Sequence, residues 1–361
     1  MKKLLVVCLF SLGVFSSLKA NNIAVSNVTL QNRNTISDYV SVAFNLSWEN
    51  SFRNSSGSGN WDAAWVFVKY KIGATGEWKH ATLNTTSHTI PAGGTSSQPD
   101  GTGIFLYRNA NGNGTFTLNG IELRWEYGTD GVPDESKIYV KVFAIEMVYI
   151  PQGSFQAGSS GQNVGEFRQA DDVSTSGTAS TFTITSSAPT LQGNNAGSSS
   201  SNLSTRDGIE NDQGTTTNTA SFASGFPTGY EAFFCMKYEI SQAQYRDFLN
   251  LLTYDQQSGR TINPPNSSTG TGALTTPGNN RNGIEISSSG ISGSTPAIYG
   301  CDVNNNNTYN ESDDGEWIAC NYLSWDDLAA YLDWAGLRPI TELEYEKVCR
   351  GNLPPVADEY S

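Results

Sequence analysis

Residues 321–351, NYLSWDDLAAYLDWAGLRPITELEYEKVCRG, decide how the carboxyl-terminal part of this chain folds. Ser324 followed by Asp327 has the spacing of a capping box, in which a hydroxyl and a carboxylate satisfy the first free N–H groups of a helix. Trp325, Leu328, Ala329, Leu332 and Ala335 then recur at helical spacing, and Gly336 supplies the stop. Pro339 blocks continuation. Thr341 with Glu344 opens a second helix in the same way, and Gly351 ends it. The short connection 337–340 predicts that the two helices lie nearly side by side. Further out, Ser241 with Gln244 opens another helix, carrying Tyr245, Phe248, Leu249 and Leu252. Three amphipathic helices on a common core follow from these patterns, and no chemistry follows from the helices alone.

Residues 21–146 read differently. Val40, Val42, Phe44, Leu46 and Trp48 alternate with Ser41, Ala43, Asn45 and Ser47, the pattern of a half-buried strand. Residues 64–72, 116–118, 121–125 and 138–145 are further strands, separated by Gly- and Asn-rich turns such as 111–114. Repeated short strands over this length predict a β-sandwich of immunoglobulin or fibronectin III type. A strand-like segment, Met147-Val148-Tyr149-Ile150-Pro151-Gln152-Gly153-Ser154-Phe155, follows with no linker and opens a second unit, 147–361. Within that unit, 158–226 and 254–296 are rich in Ser, Gly, Thr and Asn. Apart from a strand-like run at 181–185 they hold little apolar material, so both are expected as polar surface insertions.

Residues 1–20 have the layout of a secretory signal: Lys2 and Lys3, an apolar run from Leu4 to Phe15, and Leu18-Lys19-Ala20 before a cleavage point. That run is too short to span a bilayer, and Cys8 within it is too early for a lipoprotein attachment site. The expected location is secreted, periplasmic or at the cell surface. Removing the signal takes three of the 21 basic residues and leaves 18 against 35 acidic ones, a net charge of −17. So acidic a chain argues against nucleic acid or an anionic membrane as partner. Four cysteines remain, Cys235, Cys301, Cys320 and Cys349, and an even count in an exported chain favours disulfides. Of the three possible pairings, Cys301–Cys320 with Cys235–Cys349 is the favoured one. Four buried thiols are the other reading.

Three blocks of this sequence resemble the formylglycine-generating enzyme family, also called sulfatase-modifying factors. The first is the strand 147–155, similar to the family's Met-x-x-Ile-Pro-Gly-Gly-x-Phe. The second runs from Phe233 through Tyr238-Glu239-Ile240-Ser241 to Tyr245 and Phe248. The third, from Ser324-Trp325 to Arg350-Gly351, matches Ser-Trp, Ala-Tyr, Trp, Gly-Leu-Arg, Thr-Glu-x-Glu and Arg-Gly. The blocks cover under a third of the chain but keep the family's order. Departures are Pro339-Ile340 where the family has Leu-Pro, and Tyr345 where it has Trp. The resemblance implies a C-type-lectin-like domain, so that the whole chain is α+β: a sandwich followed by a sulfatase-modifying-factor domain. It also implies that Cys349 occupies a position some members use in a structural disulfide. Active members oxidise a cysteine of a sulfatase peptide to formylglycine with oxygen and a copper-binding cysteine pair. That pair lies downstream of the third block, so the domain is expected to be incomplete at its C-terminus and no catalytic residue carries over. Noncatalytic members serve as binding or surface-assembly modules, which implies a protein or peptide partner.

One further stretch has metal-ligand spacing. Asp302, Asn304, Asn306, Thr308, Asn310 and Asp313 fall at positions 1, 3, 5, 7, 9 and 12 of a calcium loop, with Thr308 contributing its carbonyl. Asn307 replaces the usual glycine at position 6, the next most tolerant choice for positive φ. Few charged ligands predict weak, extracellular-grade calcium affinity, and the competing reading is an Asn-rich turn whose side chains cap backbone groups. His80 and His88 are the only histidines, which leaves no His-based triad or zinc site. Asp326, Asp327, Glu342 and Glu344 sit where capping explains them. Trp61, Trp65 and Trp78 are expected to pack inside the sandwich rather than to stack on sugar.

Overall fold

The computed structural model describes residues 22–57, 59–158, 167–169, 181–187, 190–192, 209–211, 219–221 and 225–356. The expected signal, 1–20, and most of the expected insertion 158–226 lie outside them. The first eight strands are β1 (Ala24–Asn34), β2 (Tyr39–Asn54), β3 (Asn60–Ile72), β4 (Lys79–His80), β5 (Gly94–Ser97), β6 (Ile104–Arg108), β7 (Gly112–Trp125) and β8 (Ile138–Ile150). Short strands follow: β9 (Phe155–Ala157), β10 (Phe167–Gln169), β11 (Phe182–Ile184), β12 (Thr190–Gln192), β13 (Ile209–Asn211), β14 (Thr219–Ser221) and β15 (Phe233–Met236). Then come α1 (Gln242–Leu249), α2 (Tyr254–Ser258), β16 (Ile284–Ser288), β17 (Ile298–Cys301), α3 (Trp325–Ala335) and α4 (Glu342–Arg350). The fold is α+β with β predominating.

Nine of the strands form one antiparallel sheet that curls into a half-barrel. β2 pairs with β1 on one side and β7 on the other, then turns through Arg53↔Trp61 and Asn54↔Asn60 into β3. β3 pairs with β6 and, from Asp62↔Val148 to Ile72↔Ile138, with β8. The alternating residues Val40, Val42, Phe44, Leu46 and Trp48 all point into the first core, against Val66, Val68, Leu106, Leu118, Leu123 and Trp125. Residues 63–68 are apolar without alternation, because β3 is buried on both faces. Ala64, Val66 and Val68 enter the first core, while Ala63, Trp65 and Phe67 enter a second one.

The second core holds α1, α3 and the β16–β17 hairpin against the outer face of β3 and β8, through Tyr245, Phe248, Ile284, Ile286, Tyr299 and Tyr331. The expected boundary at 146/147 falls inside β8, which carries on to pair with β15 over Met147↔Met236 to Ile150↔Phe233. Residues 254–296 are not a surface insertion. Ala273, Leu274, Ile284 and Ile286 are buried, and β16 and α2 form there. The three expected helices are present with their capping boxes, and α2 has another, Thr253 with Gln256. Trp325 is 65 % exposed and not part of the core, since the first position of α3 faces away from it. Nor does α4 pack along α3; its Leu343 joins Phe155, Ala157 and Ile184 in a separate small cluster. Among the described residues no helix is long and apolar enough to cross a membrane.

Asp62 anchors the start of β3. It is fully buried, and its carboxylate accepts from Trp48 Nε1, Ser51 Oγ and the Phe52 N–H, each at 2.9 Å. Lys237, just past β15, lies 3.3 Å from Asp62 and 3.5 Å from the buried Glu146. Replacing Asp62 by Ala strands three donors and leaves Lys237 with one partner. Urea unfolding of Asp62→Ala should show a loss of about 3–5 kcal/mol; a loss below about 1 kcal/mol would mean that the network adds no more than one ordinary hydrogen bond.

Candidate functional site

The chain leaves β17 at Cys301, opposite Ile284 of β16, and enters the loop 302–314. The Asp302 N–H donates to Gly283 O at 2.8 Å, which sets the fully buried Asp302 side chain inside the turn. Its two carboxylate oxygens accept from the N–H groups of Asn306 (2.9 Å) and Asn307 (2.8 Å). Asn304 Oδ1 accepts from Asn306 N at 3.0 Å, and Asn306 Oδ1 from Thr308 N at 2.6 Å. Asn305, Asn307 and Asn310 have φ of 60°, 63° and 66°. Asn tolerates this left-handed region, and that is how a loop with no glycine at its sixth position still turns. Asn310 Oδ1 accepts from Cys301 N at 3.0 Å and from the Arg246 guanidinium at 2.5 Å.

Of the six expected ligands, then, Asp302, Asn304, Asn306 and Asn310 direct oxygens to the protein's own donors. The residues that gather carboxylates are partly different ones. Ligand oxygens of Glu311, Asp313 and Asp314 all lie within 4.8 Å of one another. Asp314 is fully buried; Oδ2 accepts from Glu311 N at 2.6 Å, and Oδ1 has no hydrogen-bond partner. Glu285, on the neighbouring β16, is also buried with Oε1 unpartnered. Burial, followed by the negative charges of Asp302 and Asp314, pushes the Glu285 carboxyl up to about 7. Burial chiefly, with Asp302, Glu311 and Asp313 adding, raises Asp314 too, against the pull of the Glu311 N–H. Sequence reading took Asp313 and passed over Glu311, Asp314 and Glu285. The acidic run Glu311-Ser312-Asp313-Asp314 was the available signal.

All four cysteines are free thiols, so neither Cys301–Cys320 nor Cys235–Cys349 is bonded here. Cys301 is buried and Cys320 half-buried against the second core. Burial pushes the Cys301 thiol up to about 12, with Arg246 opposing, and Cys320 up to about 12, with Cys301 adding. Cys235 is raised by burial, then by Glu344 and Cys349. Cys320 feels the charge of Cys301, and Cys235 that of Cys349, yet Cys301 and Cys320, held this high, are neither nucleophiles nor ready metal ligands at neutral pH.

The polar residues of the 321–351 stretch are committed to structure. Arg338 grips both Glu344 oxygens, at 2.8 and 2.6 Å, while Glu344 also accepts from Thr341 N at 3.0 Å. Thr341 Oγ1 donates to Pro227 O at 2.7 Å. Lys347 Nζ donates to Gly229 O at 2.6 Å, and Arg350 donates to Gln156 O and Gly158 O at 3.0 and 2.7 Å. These contacts seat α4 on β9, as β15 is seated on β8. Beside them, Met236, Tyr238, Leu323, Trp325, Ile340 and Tyr345 line an open, mainly apolar groove of about 690 Å³. His88 bonds Gln98 and the Arg124 N–H, and Trp65 donates to Ala335 O at 2.8 Å. Trp61 stacks on Tyr149 with ring centroids 3.9 Å apart.

No family model matches the sequence, and neither the curated proteins nor the solved structures offer a match.

Two predictions concern these groups. Native alkylation with iodoacetamide should modify the exposed Cys349 and spare Cys301 until the chain is unfolded, as read by peptide mass spectrometry. Equal labelling of both would contradict the packing. Lys69 is buried 2.9 Å from His80 Nδ1, and burial, with Asp333 opposing, brings its ammonium down to about 8 from 10.5. A lysine whose folded pKa lies below its unfolded value penalises the fold, fully so at pH below the folded pKa. The penalty fades as pH rises from about 8 to 10.5. Lys69 should therefore contribute a rise in stability on the order of 2–3 kcal/mol across that window, absent from Lys69→Met in urea unfolding.

Proposed function

We propose that this chain is an exported module of the sulfatase-modifying-factor type that works as a binding or assembly domain and not as an oxidation centre. In this reading residues 21–146 are a variant of the immunoglobulin-type sandwich. Residues 147–361 carry a C-type-lectin-like domain, and the chain acts outside the cytoplasm. The observation that carries it is the use of the signature itself. Thr341, Lys347 and Arg350 tie α4 to β9 and to the segment before β15, Arg338 and Glu344 brace the start of α4, Leu343 packs on Phe155, and β15 pairs with β8, so the three blocks of family-like sequence meet as scaffold. The groove beside Trp325 and Tyr345 offers the kind of apolar surface that a polypeptide partner buries.

The test is a sulfatase-derived peptide with a Cys-x-Pro-x-Arg core, incubated with the chain from residue 21 in the presence of copper and oxygen. The expected mass spectrum shows the cysteine unchanged. Formylglycine in the peptide would overturn the reading in favour of the family's oxidase activity.

A further inference from the structure

We propose that the loop 302–314 is a calcium site whose carboxylate ligands are Glu311, Asp313 and Asp314, with Asp302 acting as the internal brace of the loop. This assignment concerns the loop alone and does not depend on the family reading. Calcium–oxygen bonds of about 2.3–2.6 Å let ligands on one ion lie up to about 5 Å apart. The three carboxylates meet that limit, their oxygens falling within 4.8 Å of one another. Two of them, Glu311 and Asp313, reach the site from solvent, and Asp314 reaches it from inside the protein.

Asp314 is what separates this cluster from an ordinary acidic turn. It is fully buried, one oxygen pins the Glu311 N–H at 2.6 Å, and the other meets no donor at all. An ionised carboxylate withdrawn from water without a partner is costly, and either a proton or a bound cation relieves that cost. Arg246 reaches this loop at Asn310, at 2.5 Å, and its charge is shared between Asp247 at 2.9 Å and Glu316 at 2.7 Å. Asp302 adds negative charge from inside the loop and acts on Asp314, and both act on Glu285 of the hairpin. An irregular set of carboxylates on a turn suits calcium, which accepts variable geometry, better than magnesium, which demands an octahedron. Asn304 and Asn306 place their oxygens on backbone N–H groups at 3.0 and 2.6 Å, so they shape the turn, and Asn306 Nδ2 also donates to Glu311 Oε2 at 2.8 Å.

The experiment is calorimetric titration of the metal-free chain from residue 21 with calcium chloride, alongside thermal unfolding. One site with a Kd of about 10⁻⁴–10⁻³ M is expected, the range of extracellular calcium modules, with Tm rising as calcium is added. Glu311 and Asp313 are exposed, so the double variant E311Q/D313N keeps the fold, as circular dichroism should verify, and weakens binding at least about tenfold. The variant N304A should stay within about threefold of the parent, provided that its circular dichroism is unchanged. Absence of heat and of a Tm shift at millimolar calcium would overturn the proposal. Equal binding by E311Q/D313N would overturn it as well, and so would a loss in folded N304A as large as in the acid variant.

Discussion

A single strand buried on both faces constrains everything else in this molecule. β3 sends Ala64, Val66 and Val68 into the core of the curled sheet and Ala63, Trp65 and Phe67 into the core under the helices. Successive side chains of a strand point to opposite faces, so this one backbone segment fixes both cores at once. Trp65 extends the coupling by hydrogen bonding Ala335 O, 270 residues away, at the end of α3. Gly103 makes room for it; a Cβ there would stand 2.4 Å from the indole ring. The two halves are therefore not beads on a string. β8 reinforces the point by pairing with β3 and then with β15 without a break.

Much of this was legible where local rules act alone. The alternation from Val40 to Trp48 gave its strand, and Ser241, Ser324 and Thr341 each gave a helix start, because capping needs only residues three apart. What failed needed tertiary information. Residues 64–72 read as a strand, but nothing local says that its second face meets helices far along the chain. In 254–296 the polar composition hid a working hairpin. Ile284 and Ile286 alternate with Glu285 as in a half-buried strand, but three alternating residues before a Ser-rich run are too few to mark one. Trp325 failed in the other direction, since its helical spacing is right while its place in the first turn of α3 leaves it in solvent.

The candidate site was half legible for a related reason. A spacing template finds residues in sequence and says nothing of which way their oxygens turn. Asp302 was found, yet its carboxylate faces its own loop. Asp314 lies one residue beyond the template, and Glu285 comes from another strand, so neither appears in a linear pattern. The cysteines show the same limit. An even count in a chain read as exported suggests bonds, whereas Cys235, Cys301, Cys320 and Cys349 are all free thiols.

The way the loop is braced bears on how it can bind an ion. Asp302 sits under the turn as a buried acceptor for two N–H groups, Asn304 and Asn306 cap the next ones, and Asn310 is clamped between Cys301 and Arg246. Its backbone polar groups are in large part satisfied from within, so the turn needs no ion to form. Binding then requires little ordering, and a preorganised site loses less entropy than one assembled around its ligand. Against this stands the concentration of negative charge from Glu285, Asp302, Glu311, Asp313 and Asp314, which disfavours the empty loop while leaving its shape intact. Shape supplied by asparagines and charge supplied by acids are thus separate contributions here, which is why the residues that make the loop and those that attract a cation are largely not the same.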